Sequence, residues 1–497
     1  MPHQPPVETA VSAPGKVLLT GGYLVLDRKY TGTVLALDAR IHVIVQQLPM
    51  GKGARMAPKA NVGESARTGS NGGADGDSSM DGMEGDTCHA KDYEDGLEEV
   101  VIVKSPQFID AVWEYRIQRI TQGGGVKVQQ VNDEPRNVFV ETSLNYALTY
   151  VSYVAASKNF GSLSITILAD NDYYSETAAL SVLHRGARFM NAGVKLQEAH
   201  KTGLGSSAAL VTALVSAIVI HRTVQPEELP SVRDKLHNLA QAAHCAAQGK
   251  IGSGFDVAAA VYGSCLYRRF SPSILSDLGD VGSPQFEERL FTVVEDLNTE
   301  KPWDTECVDF GFKLPRGLQM VLCDVDCGSQ TPGMVKKVLQ WREQNRVDAE
   351  MLWTGLQRNN EKLRLELKRL GQNRNVVQNY DELSNLITRT RMWIKTMTNK
   401  CGVPIEPEVQ TELLNALSQI NGVIGGVVPG AGGYDAIVLL VKDDPIVMNA
   451  IHELVDGWKS SVEDDFGGQI GKVRLLGVGY GSDGVKNELG VRYSGWI

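Results

Sequence analysis

Lys201–Leu210 reads KTGLGSSAAL and runs on into the apolar stretch Ala208–Ile220, AALVTALVSAIVI. Gly203 and Gly205 leave backbone N–H groups uncovered, so a phosphate oxygen can come close. Ser206 and Ser207 stand where a helix should start, with hydroxyls able to cap it or to reach a metal ion. Nothing in the apolar stretch ionises. It predicts a buried helix whose dipole and free N–H groups face the glycine loop, a combination that attracts anions. The same ten residues also describe an ordinary strand–turn–helix corner, because short glycine motifs recur by chance. The rest of the chain decides between the two.

At 497 residues the chain exceeds what one core usually holds, so two domains are expected. A net charge of −10 argues against a nucleic-acid partner. An anionic substrate would then need a local basic pocket. Seven scattered cysteines without a CxxC pair suit a reduced protein better than a disulfide framework or a zinc site. The CDVDC segment Cys323–Cys327 is not read as a metal site. MPHQPPVETA at the N-terminus has neither a basic region nor an apolar core, and the apolar stretch is short for a membrane span. A soluble, cytoplasmic chain is expected, with no membrane partner.

In chain order, Val11–Asp27 (VSAPGKVLLTGGYLVLD) reads as two short strands, VLLT and YLVL, around a Gly-Gly turn, with Pro14-Gly15 bending the chain before Lys16. Lys16 either snorkels from a strand edge or aims its ammonium into a site that holds negative charge. Thr33–Gln46 is a strand. Residues 49–99 are rich in Gly, Asp, Ser and Met and read as a disordered or mobile insertion without chemistry. Strands are predicted at Val100–Val103, Trp113–Ile117 and Leu163–Ala169, and a Thr- or Ser-capped helix over Thr142–Ala156. His184, Arg185, Arg188 and Lys195 supply positive charge before the glycine loop. A second helix covers Pro226–Gln248. Asp256, in GKIGSGFDVAAAVYG, falls in the first turn of a short helix, where a carboxylate is favourable even without a function. Cys265–Phe270 closes this half as a strand.

Beyond an irregular stretch, Ser271–Leu314, the second half predicts strands at Gly317–Asp324, Ile437–Val441 and Lys472–Leu476. Helices are predicted at Gly333–Arg342, Asp348–Leu370, Tyr380–Lys400, Pro407–Ile420 and Pro445–Ser460. Gly422–Ala436 reads as one glycine-rich turn. No Walker A loop, protein-kinase motif set or HExxH is present, and Gly477–Gly484 lacks the long helix that a dinucleotide loop requires.

What remains is an ordered trio: APGK at Ala13–Lys16, GLGSSAA at Gly203–Ala209 and GAGG at Gly430–Gly433. The order resembles the GHMP kinases, the superfamily of galactokinase, homoserine kinase, mevalonate kinase and phosphomevalonate kinase. SAPGKVLLTGGYLVLD, ADNDYYS, KTGLGSSAALV, KIGSGFDVAAAVYGS and VVPGAGGYDAI look like the fungal-type phosphomevalonate kinases. The resemblance implies an α+β, two-domain GHMP kinase fold. Its N-terminal, ribosomal protein S5 domain 2-like ATP-binding domain would cover residues 1–270. An irregular connection, 271–314, would lead to a ferredoxin-like α/β sandwich domain over 315–497.

The resemblance further implies transfer of the γ-phosphoryl group of ATP to 5-phosphomevalonate, in the mevalonate route to isoprenoids and sterols, with Mg²⁺ accompanying ATP. Gly203, Leu204, Gly205, Ser206, Ser207 and Ala208 match the phosphate loop, with Ser207 or Ser206 reaching the metal. Lys16 matches the motif-one lysine and Asp256 the catalytic aspartate. Gly430, Ala431, Gly432 and Gly433 match the third motif beside the site. Lys201 is added from the sequence alone, one turn from the phosphates. Lys104, Arg185 and Lys250 are weaker cation candidates. Many superfamily members carry Gly-Glu where this chain has Gly21-Gly22, which leaves a carboxylate ligand for the metal unidentified. Mevalonate kinase, diphosphomevalonate decarboxylase and a non-catalytic regulator on the same scaffold are the alternatives, and the oligomeric state is open between monomer and homodimer.

Overall fold

The computed structural model describes residues 8–49, 99–155, 160–174, 188–308, 313–325, 331–372, 378–462 and 464–497. The insertion expected over 49–99 falls almost wholly outside them, as do His184, Arg185 and Cys327. In the first half come β1 (Glu8–Thr20), β2 (Gly32–Gln47), β3 (Val100–Lys104), β4 (Val112–Ile120), β5 (Gly125–Gln130), α1 (Val138–Val154) and β6 (Leu163–Ala169). The phosphate-loop region then feeds α2 (Ser206–Thr223), α3 (Leu229–Gln248), α4 (Phe255–Tyr262), β7 (Cys265–Arg268), α5 (Ser273–Ser276), α6 (Phe286–Val294) and β8 (Glu306–Val308). The second half holds β9 (Leu318–Val325), α7 (Thr331–Gln344), α8 (Arg346–Gln372), α9 (Asp381–Cys401), α10 (Glu408–Ser418), β10 (Val423–Val427), β11 (Ala436–Lys442), α11 (Pro445–Asp456) and β12 (Val473–Leu475). Two short strands, β13 (Tyr480–Gly481) and β14 (Lys486–Glu488), end the order.

Two sheets result. The large one runs β14-β1-β2-β6-β3-β4-β5, with β7 and β13 also on β2 and β8 on β7. α2 packs on β1 and β2 and is flanked by α1, α3 and α4. Thirteen of its 18 residues are buried, which is why it is apolar on every side rather than along a stripe. By length and composition it could cross a membrane, but here it is the central core helix. The smaller antiparallel sheet, β10-β11-β9-β12, obeys a period of two. Val321, Cys323 and Val325 face α10 and α11, whereas Leu318, Met320 and Leu322 join the core that includes Leu363, Leu367, Leu386 and Ile387 of α8 and α9. Tyr23, Leu24 and Tyr30, from the β1–β2 connection, pack with Met334, Val338 and Trp353 of α7 and α8 and so join the halves beside the cleft described below.

Several expectations change. YLVL is not a strand: Gly21 and Tyr23 take positive φ and Leu24–Leu26 forms a 3₁₀ turn. Four consecutive apolar residues, three of them buried, satisfy either conformation, so periodicity could not separate them. Pro14-Gly15 does not end a strand either; β1 continues through it with a register shift against β2. α1 begins four residues before the expected helix, capped by Asn137, whose side chain accepts from Val140 N–H. Within the supposed turn Gly422–Ala436, Val423–Val427 is a full strand on β11, its two glycines having hidden it.

The tail is also reassigned. Residues expected to finish the second domain return to the first sheet, where β14 pairs with β1 and β13 with β2. Buried Arg40 fastens them, donating to Ser12 Oγ at 2.7 Å, Ser12 O at 3.0 Å, Gly484 O at 2.5 Å and Asp483 O at 3.2 Å. A buried guanidinium is tolerated because its donors are used. The 315–497 boundary therefore describes the smaller sheet and its helices, but not the strands after residue 479.

Candidate active site

Lys16 and the phosphate loop are one packed unit. Where β1 shifts register, the Lys16 N–H donates to Leu204 O at 2.9 Å, hooking the loop onto the strand. The side chain then lies across Gly205. That residue has φ +82°, and a Cβ on it would stand 2.9 Å from Lys16 Cε. Glycine is needed there on both counts. Lys16 Nζ ends 3.5 Å from Gly203 O and 5.7 Å from the centre of the Phe255 ring. Burial pushes the Lys16 ammonium below its ordinary pKa, and the nearby Asp256 carboxylate pulls it part of the way back.

The loop is held from its other side by the ADNDYY segment. Thr202 N–H donates to Tyr173 O at 3.2 Å, Thr202 Oγ1 donates to Asp172 O at 2.6 Å, and Lys201 bridges to Tyr174. Asp170, in the same segment, is structural. It accepts from Arg188 at 2.6 and 2.9 Å and lies 3.3 Å from His42 Nε2. Burial alone would raise its pKa, but His42 and Arg188 together hold it below the usual carboxylate range. Arg188 is thus occupied and is not a free cation for the loop; Lys195, Lys104 and Lys250 are exposed.

The third motif closes the arrangement. Gly430 N–H donates to Leu18 O at 3.3 Å, Tyr23 OH to Ala431 O at 2.7 Å, and Gly433 N–H to Ile405 O at 3.0 Å. Lys16, Tyr23, Gly203, Leu204, Ser253, Phe255, Gly430, Ala431 and Gly432 wall a cleft of about 370 Å³ between the halves. A second hollow of about 70 Å³ lies on the opposite side of the loop, lined by Trp113, Asn137, Phe139, Lys201, Ser206 and Ser207. Lys201 therefore shares a wall with the two serines rather than with Lys16. A larger hollow of about 1250 Å³ between α7, α8 and α9 contains none of the motif residues.

Asp256 is the second residue of α4. Its Oδ1 accepts from Val257 N–H at 3.0 Å, and its Oδ2 stands 3.9 Å from Nε2 of His244. The same nitrogen is 3.2 Å from Ser207 Oγ. α3 thus brings an imidazole between the loop serine and the aspartate.

A family description, the GHMP kinases N terminal domain, matches residues 177–264. The chain is 65% identical over 497 residues to the phosphomevalonate kinase of Aspergillus fumigatus, covering 99% of each. It is 42% identical to that of Gibberella zeae, covering 98% of each. Among solved structures, a Streptococcus pneumoniae phosphomevalonate kinase in complex with phosphomevalonate and AMPPNP superposes with a TM-score of 0.55 at 13% identity, over 94% of this chain and 99% of that one. That likeness bears on the fold. The identity to the fungal chains decides the rest. This chain belongs to the phosphomevalonate kinases.

As a phosphomevalonate kinase it departs from the wider superfamily at Gly22, and the structure gives the reason. A Cβ on Gly22 would lie 2.3 Å from Gly430 O, so no side chain fits without displacing the third motif. Gly22→Ala is expected to push the Gly430 turn away from Lys16 and lower kcat/KM by about 10²-fold, the usual cost of an ångström-scale misplacement. Steady-state kinetics beside a near-unchanged circular dichroism spectrum would show it. Sequence reasoning did not single out Tyr23, Ser253, Phe255 or His244. His244 sits in an alanine-rich helix, LAQAAHCAAQ, where a histidine reads as packing. Its only local signal is its place one turn before the glycine-rich lead into Asp256.

Proposed function

We propose that the chain transfers the γ-phosphoryl group of ATP to (R)-5-phosphomevalonate, giving (R)-5-diphosphomevalonate and ADP. What carries the reading is that residues from all three motifs, Lys16, Gly203–Leu204 and Gly430–Gly432, wall a single cleft in a chain so similar to known phosphomevalonate kinases. The two hollows flank the phosphate loop, as two separately bound phosphates meeting end to end require. The interdomain cleft is read as the acceptor side. The hollow beside Ser206 and Ser207 is read as the side from which the nucleotide phosphates meet the loop.

In the reaction an oxygen of the acceptor phosphate forms a bond to the γ-phosphorus, and the bond from that phosphorus to the β–γ bridging oxygen breaks. ADP leaves with the electron pair. Such a transfer asks for alignment and charge neutralisation more than covalent help. The N–H groups at the start of α2 and the Lys16 ammonium meet the oxygens on which charge accumulates. A phosphate monoester has a second pKa of about 6, so the acceptor is already ionised at neutral pH. Asp256 then serves to keep Lys16 charged and to position it, rather than to remove a proton.

The protein's oxygen donors fit Mg²⁺. Ser207, Ser206 and Asp256 present hydroxyl and carboxylate oxygens at the loop. Among the described residues no cluster of three carboxylate, histidine or cysteine ligands competes as an all-protein metal site. Mg²⁺ is commonly held by one or two such groups together with substrate phosphates. When bound, it neutralises charge on the ATP phosphates. The five described cysteines are free thiols, in keeping with the cytosol as the compartment we propose.

Coupled ADP release should be at least about 10²-fold faster on 5-phosphomevalonate than on mevalonate, since a pocket that pairs a phosphate discriminates strongly against a partner lacking it, and 5-diphosphomevalonate, the product, should give none. Comparable turnover of mevalonate, or nucleotide binding without turnover of any of the three, would overturn the assignment.

A further inference from the structure

We propose that His244 is a positioning residue of the transfer site: its Nε2 accepts the Ser207 hydroxyl proton and thereby turns that oxygen's lone pairs toward the cation that accompanies ATP. The proposal rests on the reading of Ser207 as a ligand of that cation. His244 comes from α3, outside all three motif loops, and is 2% exposed. Its Nε2 lies 3.2 Å from Ser207 Oγ and 3.2 Å from the amide nitrogen of Gln248, one helical turn further on. An amide NH₂ only donates, and a hydroxyl can donate. An imidazole nitrogen that faces both is therefore the one with the lone pair, and the ring proton sits on Nδ1. The Phe139 ring, with its centre 6.0 Å from that of the imidazole, limits rotation of the ring.

A neutral hydroxyl that ligates a cation gives up a lone pair and must direct its proton elsewhere. Ser207 is half-buried, and a fixed acceptor there spares its hydroxyl from being left unpaired, which is costly away from water. His244 supplies one without adding charge. A carboxylate in its place would accept the same proton, but it would also compete for Lys16 and for the cation. At 3.9 Å, Asp256 Oδ2 is beyond hydrogen-bonding distance of this nitrogen. The imidazole therefore occupies the Ser207 proton and leaves the aspartate free for Lys16.

Two measurements test the proposal. In metal-free, nucleotide-free protein labelled with ¹⁵N-histidine, the resonance lost in His244→Gln identifies His244. It should show a protonated Nδ1 and a bare Nε2; the opposite tautomer overturns the proposal. Calorimetric titration with MgADP should then show binding weakened about tenfold in His244→Leu, the loss of roughly one hydrogen bond, with metal-free ADP binding unchanged. His244→Gln, whose amide oxygen can accept the same proton, should stay within about threefold of wild type. The kcat of His244→Leu should fall while KM for phosphomevalonate holds. If MgADP binds His244→Leu as it binds wild type while Ser207→Ala is weakened, His244 has no such role. If Ser207→Ala also keeps its affinity, the reading of Ser207 as a cation ligand fails instead. Thermal melts of each variant establish that it is folded, and the tautomer measurement on wild type stands without any variant.

Discussion

Lys16→Met is expected to lose about 10²–10³-fold in kcat and, in the same protein, to gain thermal stability. The first effect follows from removing a cation aimed at the oxygens where charge builds up. The second follows from what the native fold does to that cation. Burial lowers its pKa from the ordinary 10.5, and Asp256 only partly offsets the effect. The native state therefore binds the Lys16 proton less tightly than the unfolded chain does. The cost is fully present at any pH below the folded pKa and fades as pH rises through that value toward 10.5. The gain from methionine, which keeps the aliphatic stem packed on Gly205, should accordingly be largest near neutrality and shrink in alkaline buffer. Melting curves of both proteins from pH 7 upward, set beside their turnover, check it. A variant that is inactive and also less stable at pH 7 would mean that Lys16 is a structural cation.

Asp256→Asn is expected to cost about 10²–10³-fold in kcat, to keep its acid limb, and to move its alkaline limb to lower pH. An acceptor phosphate that is already ionised has no proton to give up, so the contribution of a general base is largely absent. What the carboxylate does is raise the Lys16 pKa against burial. Without it the ammonium deprotonates earlier, and activity that needs the charged form is lost at a lower pH. The pH dependence of kcat in wild type and variant measures both effects. Disappearance of a limb in the carboxylate range, with a loss well beyond about 10⁴-fold, would make Asp256 a base after all.

Legibility in the sequence followed the physical range of each signal. The phosphate loop, α2 and β6 were readable because backbone freedom, helix start and strand alternation are local, and β6 was placed to the residue. The gathering of Lys16, Gly203 and Gly430 was implied by motif order alone, since nothing local says that residues so far apart share a cleft. Arg188 shows the limit from the other side. It is a basic residue near a phosphate loop, yet Asp170, which His42 also faces, claims it, and that is visible only once β2 and β6 are paired. His244 stayed hidden for the same reason, and Val423–Val427 because two glycines in five residues outweigh three valine and isoleucine side chains in any propensity scale.

The return of β14 to β1 has a consequence for how the molecule comes into being. Ala10 is paired with Glu488 and Ser12 with Lys486, so the strand that carries Lys16 gains its outer neighbour from residues far downstream in the chain. Until they emerge, the nascent β1 presents an open edge, the feature most prone to pairing with another chain. Contacts this distant in sequence also form slowly, since a very long loop must close first. Maturation of the catalytic strand is thus tied to the synthesis of β14. Holding back residues 480–488 during synthesis should leave a chain that has its phosphate loop and core helix but an unfinished sheet, in need of a chaperone rather than of substrate.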